Sequence, residues 1–347
     1  YLSDIVSERY EAARETVRAF INAPKREEII FTAGTTSAIN AIAFSFGEKF
    51  VHTDDEIIIS GMEHHANIVP WQMLCERKDA KLKIIPFSDE GVLDMDAFRS
   101  LFTERTRIVA VTNASNVLGT VNPVKKIIAE AHRHGVPVLI DGAQIIQHGI
   151  VDVADIDCDF FVFSGHKIYG PNGIGVLYGK EKWLNEIPPY QGGGDMVANV
   201  TFEKTTYNEL PFKFEAGTTN FTGAIGLATA LDYVSALGRE AVAEREQTLL
   251  AKATSSLLSV SGVRIYGTAP HKVSLVSFLP GTIHQYDAGM ILDKMGIAVR
   301  TGTHCAQPVM ERYGITGNIR ASIAFYNTEE EIETLVKGVR KVTEMFA

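Results

Sequence analysis

The segment from Phe163 to Pro171 contains the residue with the clearest chemical potential. Lys167 follows an apolar strand and stands close to Ser164 and His166. Moving a lysine amine out of water is costly unless it has a partner, and a desolvated amine forms Schiff bases with carbonyl compounds. Pyridoxal 5'-phosphate would supply an aldehyde for the lysine and a phosphate for Ser164, His166 and backbone amides. A surface lysine in a turn before Pro171 is the alternative interpretation.

Two further sets of polar residues follow predicted strands and could serve the same cofactor. Gly34 precedes Thr35 and Thr36 at the start of a predicted helix, where amide groups and the helix dipole favour a phosphate. Asp141 and Gln144 follow another strand. The carboxylate could pair with a pyridinium N–H, and the amide could donate to the phenolic oxygen. Helix capping is the alternative explanation for both sets.

Histidine and asparagine side chains follow two other strands. His64 and His65 are adjacent, and neighbouring histidines on one backbone rarely reach the same ion, so we expect no metal site. An imidazole stacked on a flat heteroaromatic ring is the better functional interpretation of His64, and a satisfied loop histidine is the alternative. Asn116 could donate to a ring oxygen or to a substrate carboxylate, or it could serve an Asx turn.

A second chemical cluster lies in the last quarter of the chain. Cys305 lies in a short loop near Arg300 and His304, and both neighbours would favour the nucleophilic thiolate. A small buried cysteine in a turn is the alternative. Arg320 is placed at the start of a strand, where its planar guanidinium could bind a substrate carboxylate with two parallel hydrogen bonds. A surface salt bridge is the alternative for Arg320.

An alternation of strands and helices must position these residues. The strands are nearly continuous runs of Ile, Val and Leu, which are typical of a sheet buried on both faces. The alternation predicts an α/β fold with a mostly parallel sheet, whose ligands bind beyond the carboxyl ends of the strands. The predicted strands are Glu28–Phe31, Glu56–Ser60, Leu82–Pro86, Ile108–Thr112, Val136–Ile140, Phe160–Phe163 and Ile174–Tyr178. The predicted helices among them are Leu2–Ile21, Thr35–Phe46, Ile68–Arg77, Met95–Leu101 and Val124–His134.

A smaller unit follows an irregular glycine-rich segment at residues 191–195. We assign residues 1–232 to a large domain and residues 233–347 to a small C-terminal domain that carries the cysteine loop. Thr328 and Glu331 predict a capping box for the last helix. The predicted helices are Gly223–Ala236, Glu240–Ser259, Ala288–Met295 and Glu329–Phe346, and the predicted strands are Val263–Tyr266, Ser274–Phe278 and Ala298–Arg300.

The composition argues against several classes of function. The chain has 347 residues, of which 46% are hydrophobic, and a net charge of -9 without a basic stripe, so we expect no nucleic-acid partner. No apolar run approaches the about 20 residues that span a bilayer, and no signal peptide is evident, so we expect a cytoplasmic protein and no membrane partner. Cys75, Cys158 and Cys305 form no CxxC pair, which fits a reducing compartment, and the first two look structural.

Taken together, the motifs resemble the class V family of pyridoxal phosphate enzymes, which has fold type I. Within that family they resemble the group II cysteine desulfurases, the SUF-type and selenocysteine-lyase-like branch. The specific motifs are Ser-Gly-His-Lys at residues 164–167 and Arg-Thr-Gly-Thr-His-Cys at residues 300–305. The resemblance implies a large domain with a seven-stranded type of sheet and a smaller α+β domain. The matching stretches, which extend over nearly the whole chain, are Thr32–Asn40, Met62–Gln72, Asn113–Thr120, Asp141–Gln144, Ser164–Gly175, Phe214–Asn220, Arg300–Met310 and Arg320–Thr328.

The resemblance also implies a role for each candidate residue. Lys167 would carry the cofactor, His64 would stack on its ring, and Cys305 would accept sulfur. Asp141 would pair with the ring nitrogen, and Gln144 would donate to the phenolate. The phosphate ligands would be Thr35, Thr36, Ser164 and His166, with Thr218 reaching the phosphate of the other subunit of a homodimer, and the substrate ligands would be Asn116, Arg300 and Arg320.

The implied reaction converts L-cysteine to L-alanine and leaves the sulfur on Cys305 as a persulfide. A SUF-pathway acceptor protein would take that sulfur for iron–sulfur cluster assembly. A selenocysteine lyase acting on L-selenocysteine, or another class V lyase or aminotransferase, is the alternative. A non-catalytic scaffold and a metal-dependent hydrolase are alternatives of other classes. The chain departs from the family at Ser37, where glutamate is common, and at Thr303, where histidine is frequent. Family members also carry a segment before the position of Tyr1 that forms part of the active-site wall.

Overall fold

A computed structural model of the chain describes residues 1–346. The helices are α1 (Leu2–Phe20), α2 (Thr35–Phe50), α3 (Val69–Lys78), α4 (Met95–Ser100), α5 (Val124–Arg133), α6 (Ile145–His148), α7 (Val153–Ile156), α8 (Glu181–Glu186), α9 (Phe221–Leu237), α10 (Arg239–Leu258), α11 (Gln285–Lys294), α12 (Gln307–Tyr313) and α13 (Glu329–Met345). The strands are β1 (Ile29–Thr32), β2 (Glu56–Ser60), β3 (Lys81–Ile85), β4 (Thr106–Thr112), β5 (Val138–Asp141), β6 (Phe160–Ser164), β7 (Gly175–Gly179), β8 (Val197–Val200), β9 (Thr205–Tyr207), β10 (Val263–Tyr266), β11 (Leu275–Pro280), β12 (Arg300–Gly302) and β13 (Asn318–Ser322).

Seven strands form the central sheet in the order β1-β7-β6-β5-β4-β2-β3. Five of them, β3, β2, β4, β5 and β6, are parallel, and β7 lies antiparallel between β1 and β6. Because β7 opposes both neighbours, β1 points the same way as the five parallel strands. The predicted α/β fold with a mostly parallel sheet is therefore confirmed. The carboxyl ends of β1, β2, β4, β5 and β6 all meet at one edge, where a ligand of such a sheet binds.

The central strands are buried on both faces, as their runs of branched residues predict. In β2, Ile58 belongs to one hydrophobic core, while Ile57 and Ile59 belong to the core on the opposite face. Helices α1 and α9 contribute to the first core, and α2 and α3 contribute to the second. The sheet is thus a rigid layer between two layers of helices, and it fixes the positions of the loops at its carboxyl edge.

A second, antiparallel sheet has the order β10-β11-β13-β12 and shares a separate core with α10, α11 and α13. The predicted capping box of α13 is present, since Thr328 Oγ1 accepts from the Glu331 N–H and the Glu331 carboxylate accepts from the Thr328 N–H. The boundary proposed between residues 232 and 233 falls within α9. That helix ends at Leu237, and the backbone turns at Gly238, which has φ 84°. A division of the chain near Gly238 stays a proposal.

Three local features differ from the sequence-based expectations. The β8–β9 hairpin follows the glycine-rich segment, and its largely exposed side chains leave no apolar alternation to mark it. The strand expected at Ala298–Arg300 is instead β12, which pairs with β13 through Gly302 and Asn318. Gly302 has φ 111°, a conformation typical of a turn rather than of a strand. Arg320 lies in the middle of β13 and not at its start, because the strand already begins at Asn318.

No single helix within residues 1–346 is long and apolar enough to cross a membrane. The pair α9 and α10 passes a test of length and composition only when taken together, and the two helices are bent by 76°. Both contribute to the interior of the protein, with Leu227 and Leu231 in one core and Leu249 and Leu257 in another.

Candidate active site

A cavity of about 230 Å³ lies at the carboxyl edge of the central sheet. Residues from the ends of β4, β5 and β6, from the start of α2 and from β12 and β13 surround it. Eleven of the thirteen predicted site residues line this cavity; Cys305 and Thr218 are the two that do not. The lining residues are Thr35, Thr36, His64, Ala66, Thr112, Ala114, Asn116, Asp141, Ala143, Gln144, Ser164, His166, Lys167, Arg300 and Arg320.

Lys167 lies in a short 3-10 helix, Gly165–Ile168, directly after β6. Tyr169 ends this helix in the left-handed conformation, with φ 63°, and so turns the chain away from the cavity. Burial and the nearby charges of Arg320 and Arg300 lower the pKa of Lys167 below its ordinary value, although Asp141 opposes this shift. The lysine is therefore more readily available as the neutral amine, which is the nucleophilic and basic form.

Asp141 ends β5 and is almost fully buried. Its Oδ1 accepts from the backbone N–H of Ala143 at 2.9 Å. Burial raises the pKa of Asp141 to about 6, even though that hydrogen bond and Lys167 act in the opposite direction. Burial disfavours the charged form of this carboxylate. A cationic ring N–H in the cavity would stabilise that form as its ion-pair partner. Gln144 lines the same cavity from the residue before α6.

Thr35 and Thr36 line the cavity from the amino terminus of α2, a helix of 16 residues. The Thr35 N–H donates to Ser164 Oγ at 2.8 Å, and the two hydroxyl groups are also 2.8 Å apart. A Cβ on Gly34 would lie 3.2 Å from that Oγ, and Gly34 has φ 149°, so glycine keeps this approach open. His166 is exposed nearby, and burial and Lys167 lower its pKa. Hydroxyl groups and a helix amino terminus form a suitable phosphate cradle.

His64 precedes a short 3-10 helix after β2, and its Nδ1 accepts from the Ala66 N–H at 3.0 Å. Burial and the charge of Lys167 lower the pKa of His64 to about 4, so the ring is neutral at pH 7. A neutral, fixed imidazole beside the cavity suits stacking on a flat ring. Within residues 1–346 no group of three or more His, Cys, Asp or Glu side chains could hold a metal ion.

Glu63 is a buried site neighbour to which the sequence analysis gave no role. Its carboxylate contacts Ser60 Oγ, accepts from Asn67 Nδ2 at 2.7 Å and accepts from the Thr112 N–H at 2.9 Å. Burial raises the pKa of Glu63 to about 8. The contacts join the ends of β2 and β4 directly beneath the cavity. The sequence did contain a signal for Glu63, because an acidic residue shortly after a buried strand is the pattern that indicated Asp141.

Arg320 and Asn116 also line the cavity. Arg320 Nη1 donates to the backbone carbonyl oxygen of Asn116 at 2.7 Å. Its Nε is buried and has no hydrogen-bond partner within the described part of the chain. Burial and the charge of Arg300 lower the pKa of Arg320 to about 10, which still leaves it charged at pH 7. An incompletely paired, buried guanidinium facing a cavity is suited to a carboxylate.

Cys305 lies beside the cavity, with its sulfur 3.9 Å from Arg300 Nη2. The expectation that His304 would help to ionise this thiol is wrong. Burial and the charge of Arg320 lower the pKa of His304 to about 4, so His304 is neutral at pH 7. Its Nε2 lies 2.8 Å from Asn318 Oδ1, and both side chains are buried. Arg300 lies beside Cys305, and Arg320 and Lys167 are also close enough for their charges to interact with it.

Thr218 is exposed and lies away from the cavity of its own chain. It borders a separate hollow of about 250 Å³ together with Glu215. Glu215 is buried, and its carboxylate accepts from Arg14 at 2.7 and 2.9 Å and from the Tyr10 hydroxyl at 2.8 Å. These contacts anchor the segment that presents Thr218. Cys75 is half-buried and Cys158 fully buried, as expected for structural cysteines.

Comparisons with known proteins identify the family of this chain. The aminotransferase class-V family profile matches residues 2–335. A cysteine desulfurase of Shigella flexneri is 51% identical over 342 residues, which cover 98% of this chain and 84% of that protein. One of Synechococcus elongatus is 50% identical over 336 residues, 97% of this chain but only about half, 54%, of that protein. The crystal structure of the Escherichia coli cysteine desulfurase CsdA matches with TM-score 0.94 and 40% identity, covering 99% of this chain and 85% of that one. The chain therefore belongs to the class-V aminotransferase family and, within it, to the cysteine desulfurases.

Proposed function

We propose that the chain uses pyridoxal 5'-phosphate to convert L-cysteine to L-alanine and leaves the substrate sulfur on Cys305 as a persulfide. One observation carries this proposal: a single cavity contains Lys167, Asp141 and Arg320, and the Cys305 loop lies beside it. The relationship to cysteine desulfurases supports the reaction class. The donor set of the cavity supports the cofactor.

The residues present fit the proposed cofactor at each of its polar ends. Asp141 is a buried carboxylate with a raised pKa, and a ring N–H would provide the cation that it lacks. Thr35, Thr36, Ser164 and His166 surround the amino terminus of α2, where a phosphate would sit. Lys167 lines the same cavity and would bind the aldehyde covalently. When bound, the cofactor supplies an electron sink that stabilises negative charge at the substrate Cα.

The side chains around the cavity would then bind the substrate and move one proton. Arg320, whose Nε has no partner within residues 1–346, would bind the carboxylate of L-cysteine. The lowered pKa of Lys167 favours its role as the base that takes the proton from Cα. His64, held neutral by burial, would cover the cofactor ring and keep water away from the reacting carbon.

Cys305 would carry out the sulfur transfer. Its thiolate would attack the sulfur of L-cysteine, so that an S–S bond forms while the Cβ–S bond breaks. The electron pair of the broken bond stays with the carbon skeleton. That skeleton takes up a proton at Cβ, equivalent to the one that the Cys305 thiol lost, regains from Lys167 the proton taken from Cα, and leaves as alanine. The net change is a thiol converted to a persulfide and cysteine converted to alanine, with no external oxidant. Arg300 Nη2 lies 3.9 Å from the Cys305 sulfur, so its charge would face the attacking thiolate.

The proposal extends to partners. Thr218 is exposed and borders a hollow apart from the Lys167 cavity, which is consistent with a homodimer in which it serves the other subunit. An acceptor protein of the SUF pathway would take the persulfide sulfur for iron–sulfur cluster assembly. A reducing compartment such as the cytoplasm would suit a mechanism that needs a free Cys305 thiol.

Two substitutions test the proposed roles directly. Borohydride reduction should attach the cofactor permanently to the wild-type chain, and its absorbance band then stays with the protein. Lys167→Ala should lose this band, and its survival would show that another residue binds the cofactor. Cys305→Ala should keep the band but lose persulfide labelling, and undiminished labelling would refute the acceptor role.

Alanine release from L-cysteine and from L-selenocysteine, with and without Cys305, distinguishes a desulfurase from a selenocysteine lyase. A protein without turnover of either would be a scaffold.

A further inference from the structure

The backbone at the proposed sulfur acceptor is held in an unusual conformation. His304 and Cys305 have φ angles of 54° and 57°, so two successive residues other than glycine occupy the left-handed region. This region is unfavourable for L-amino acids, and such residues persist only where their surroundings over-determine them. The segment 303–307, called the cysteine loop below, therefore needs anchors outside itself.

Two residues from the carboxyl edge of the central sheet supply these anchors. Asn116 Nδ2 donates to the carbonyl oxygen of His304 at 2.7 Å. The backbone N–H of His65 donates to the carbonyl oxygen of Cys305 at 2.7 Å. The His65 ring also accepts, through Nε2, from the N–H of Gln307 at 3.2 Å. The cysteine loop is thus tied to the loops that follow β2 and β4.

Asn116 also contacts the arginine at the substrate end of the cavity. Arg320 Nη1 donates to the Asn116 carbonyl oxygen at 2.7 Å. Asn116 is itself buried. Its main chain therefore orients the proposed carboxylate-binding group, while its side chain holds the loop that carries the proposed sulfur acceptor.

We propose that Asn116 is a positioning residue that sets the distance between Cys305 and the bound substrate. This inference rests on the proposed function and adds a role to it. The family resemblance implies only that Asn116 binds the substrate carboxylate. In this structure one N–H of its amide is directed at the His304 carbonyl group, so the side chain fixes the acceptor before any substrate arrives.

The test is the alkylation rate of Cys305 in the substrate-free holoenzyme. Asn116→Asp keeps the size of the side chain but places an oxygen against the His304 carbonyl oxygen, so the anchor is lost. Iodoacetamide is the probe, and mass spectrometry of the Cys305 peptide gives the rate on its high-pH plateau, where thiol ionisation no longer limits it. Loss of one hydrogen bond should loosen the loop and raise this rate about fivefold. A residue that only binds substrate carboxylate would leave the rate unchanged, which would overturn the proposal.

Asn122→Asp is the matched control. Asn122 is also buried, and its Nδ2 donates to the Thr112 carbonyl oxygen at 2.8 Å. Cys305 in this variant should be alkylated at the wild-type rate. An equal increase in both variants would indicate a general loosening of the fold and would overturn the proposal. If Asn116→Asp does not fold, Asn116→Ala replaces it, because alanine removes the donor to the His304 carbonyl oxygen without adding a charge. Cys305 should again be alkylated faster in this variant, and an unchanged rate would overturn the proposal. Wild-type enzyme that forms no persulfide on Cys305 would refute the proposed function but not this comparison.

Discussion

Asp141 illustrates how a single residue can be unfavourable for stability and yet suited to the proposed function. Burial raises its pKa to about 6, above the ordinary value of 3.8. The folded protein without cofactor therefore holds this proton more tightly than the unfolded chain does. Between these two pH values the stability of the cofactor-free protein falls as pH rises, because the buried carboxylate must ionise. Cofactor binding would reverse that cost by providing a cationic partner.

Asp141→Asn should therefore stabilise the cofactor-free protein at pH 7, because no buried carboxylate has to ionise. The same variant should reduce alanine production about 100-fold or more, since asparagine supplies no negative charge to the ring nitrogen. Urea unfolding of variant and wild type at pH 4 and pH 7 measures the first effect. The advantage of the variant should be larger at pH 7, and an equal difference at both pH values would contradict the buried-charge explanation.

Asp159→Asn gives a control with the opposite sign. Burial would raise the pKa of Asp159, but the hydrogen bond with His132 and the charge of Lys180 outweigh it and lower the pKa below its ordinary value. Ionised Asp159 therefore stabilises the fold, and this contribution is lost as pH falls through the lowered pKa. Its replacement should cost more stability at pH 7 than at pH 2, because the contribution disappears only below the ordinary pKa of 3.8.

At the scale of elements, helix α1 is joined to the segment before α9 by one buried ion pair. Arg14 and Glu215 are both almost fully buried, and Glu215 also accepts from the Phe31 N–H at 2.7 Å, so the pair reaches β1. Removing one partner leaves an uncompensated buried charge. Glu215→Gln should lower the free energy of unfolding by about 3–5 kcal/mol.

Glu15→Gln is the matched change in an exposed pair on the same helix. Glu15 contacts Arg18 three residues away at 2.7 Å, but both side chains are accessible to water. Its loss should cost about 1 kcal/mol or less. Urea unfolding measures both variants, and similar losses in the two would contradict the importance assigned to the buried pair.

The elements of the large sheet could be predicted because their signal is local. Runs of apolar residues marked β2, β4 and β6. The rule that ligands bind beyond strand ends then indicated Asp141 and Lys167. The β8–β9 hairpin gave no comparable signal because its residues are largely exposed. The position of a residue along a strand did not indicate its role. The expected roles of the individual site residues came from the family resemblance.

Contacts between distant parts of the chain could not be predicted from the sequence. Asn116 and His304 are 188 residues apart, and only the folded structure shows that they share a hydrogen bond. The error on His304 has the same origin. Histidine next to cysteine suggested a cation, but burial and the charge of Arg320 keep the ring neutral. Burial is a property of the whole fold, so a local motif does not reveal it.

At the scale of the whole molecule, the proposed homodimer makes Thr218 a test of assembly. Thr218→Val removes a hydroxyl that would contact the phosphate in the other subunit, so cofactor affinity should fall about tenfold. Absorbance titration measures the affinity, and sedimentation should give the mass of two chains. Thr316→Val, another exposed threonine, is the control. A monomer, or unchanged affinity in the Thr218 variant, would contradict the shared site.

The proposed function depends on transfer of the L-cysteine sulfur to the thiol of Cys305. The most direct test adds L-cysteine to the yellow, cofactor-loaded protein, quantifies alanine and examines the Cys305 peptide by mass spectrometry without reductant. We expect a gain of one sulfur atom on that peptide and one alanine for each persulfide formed in the first turnover. Alanine formation without added sulfur on Cys305, or a protein that binds no cofactor, would contradict the account.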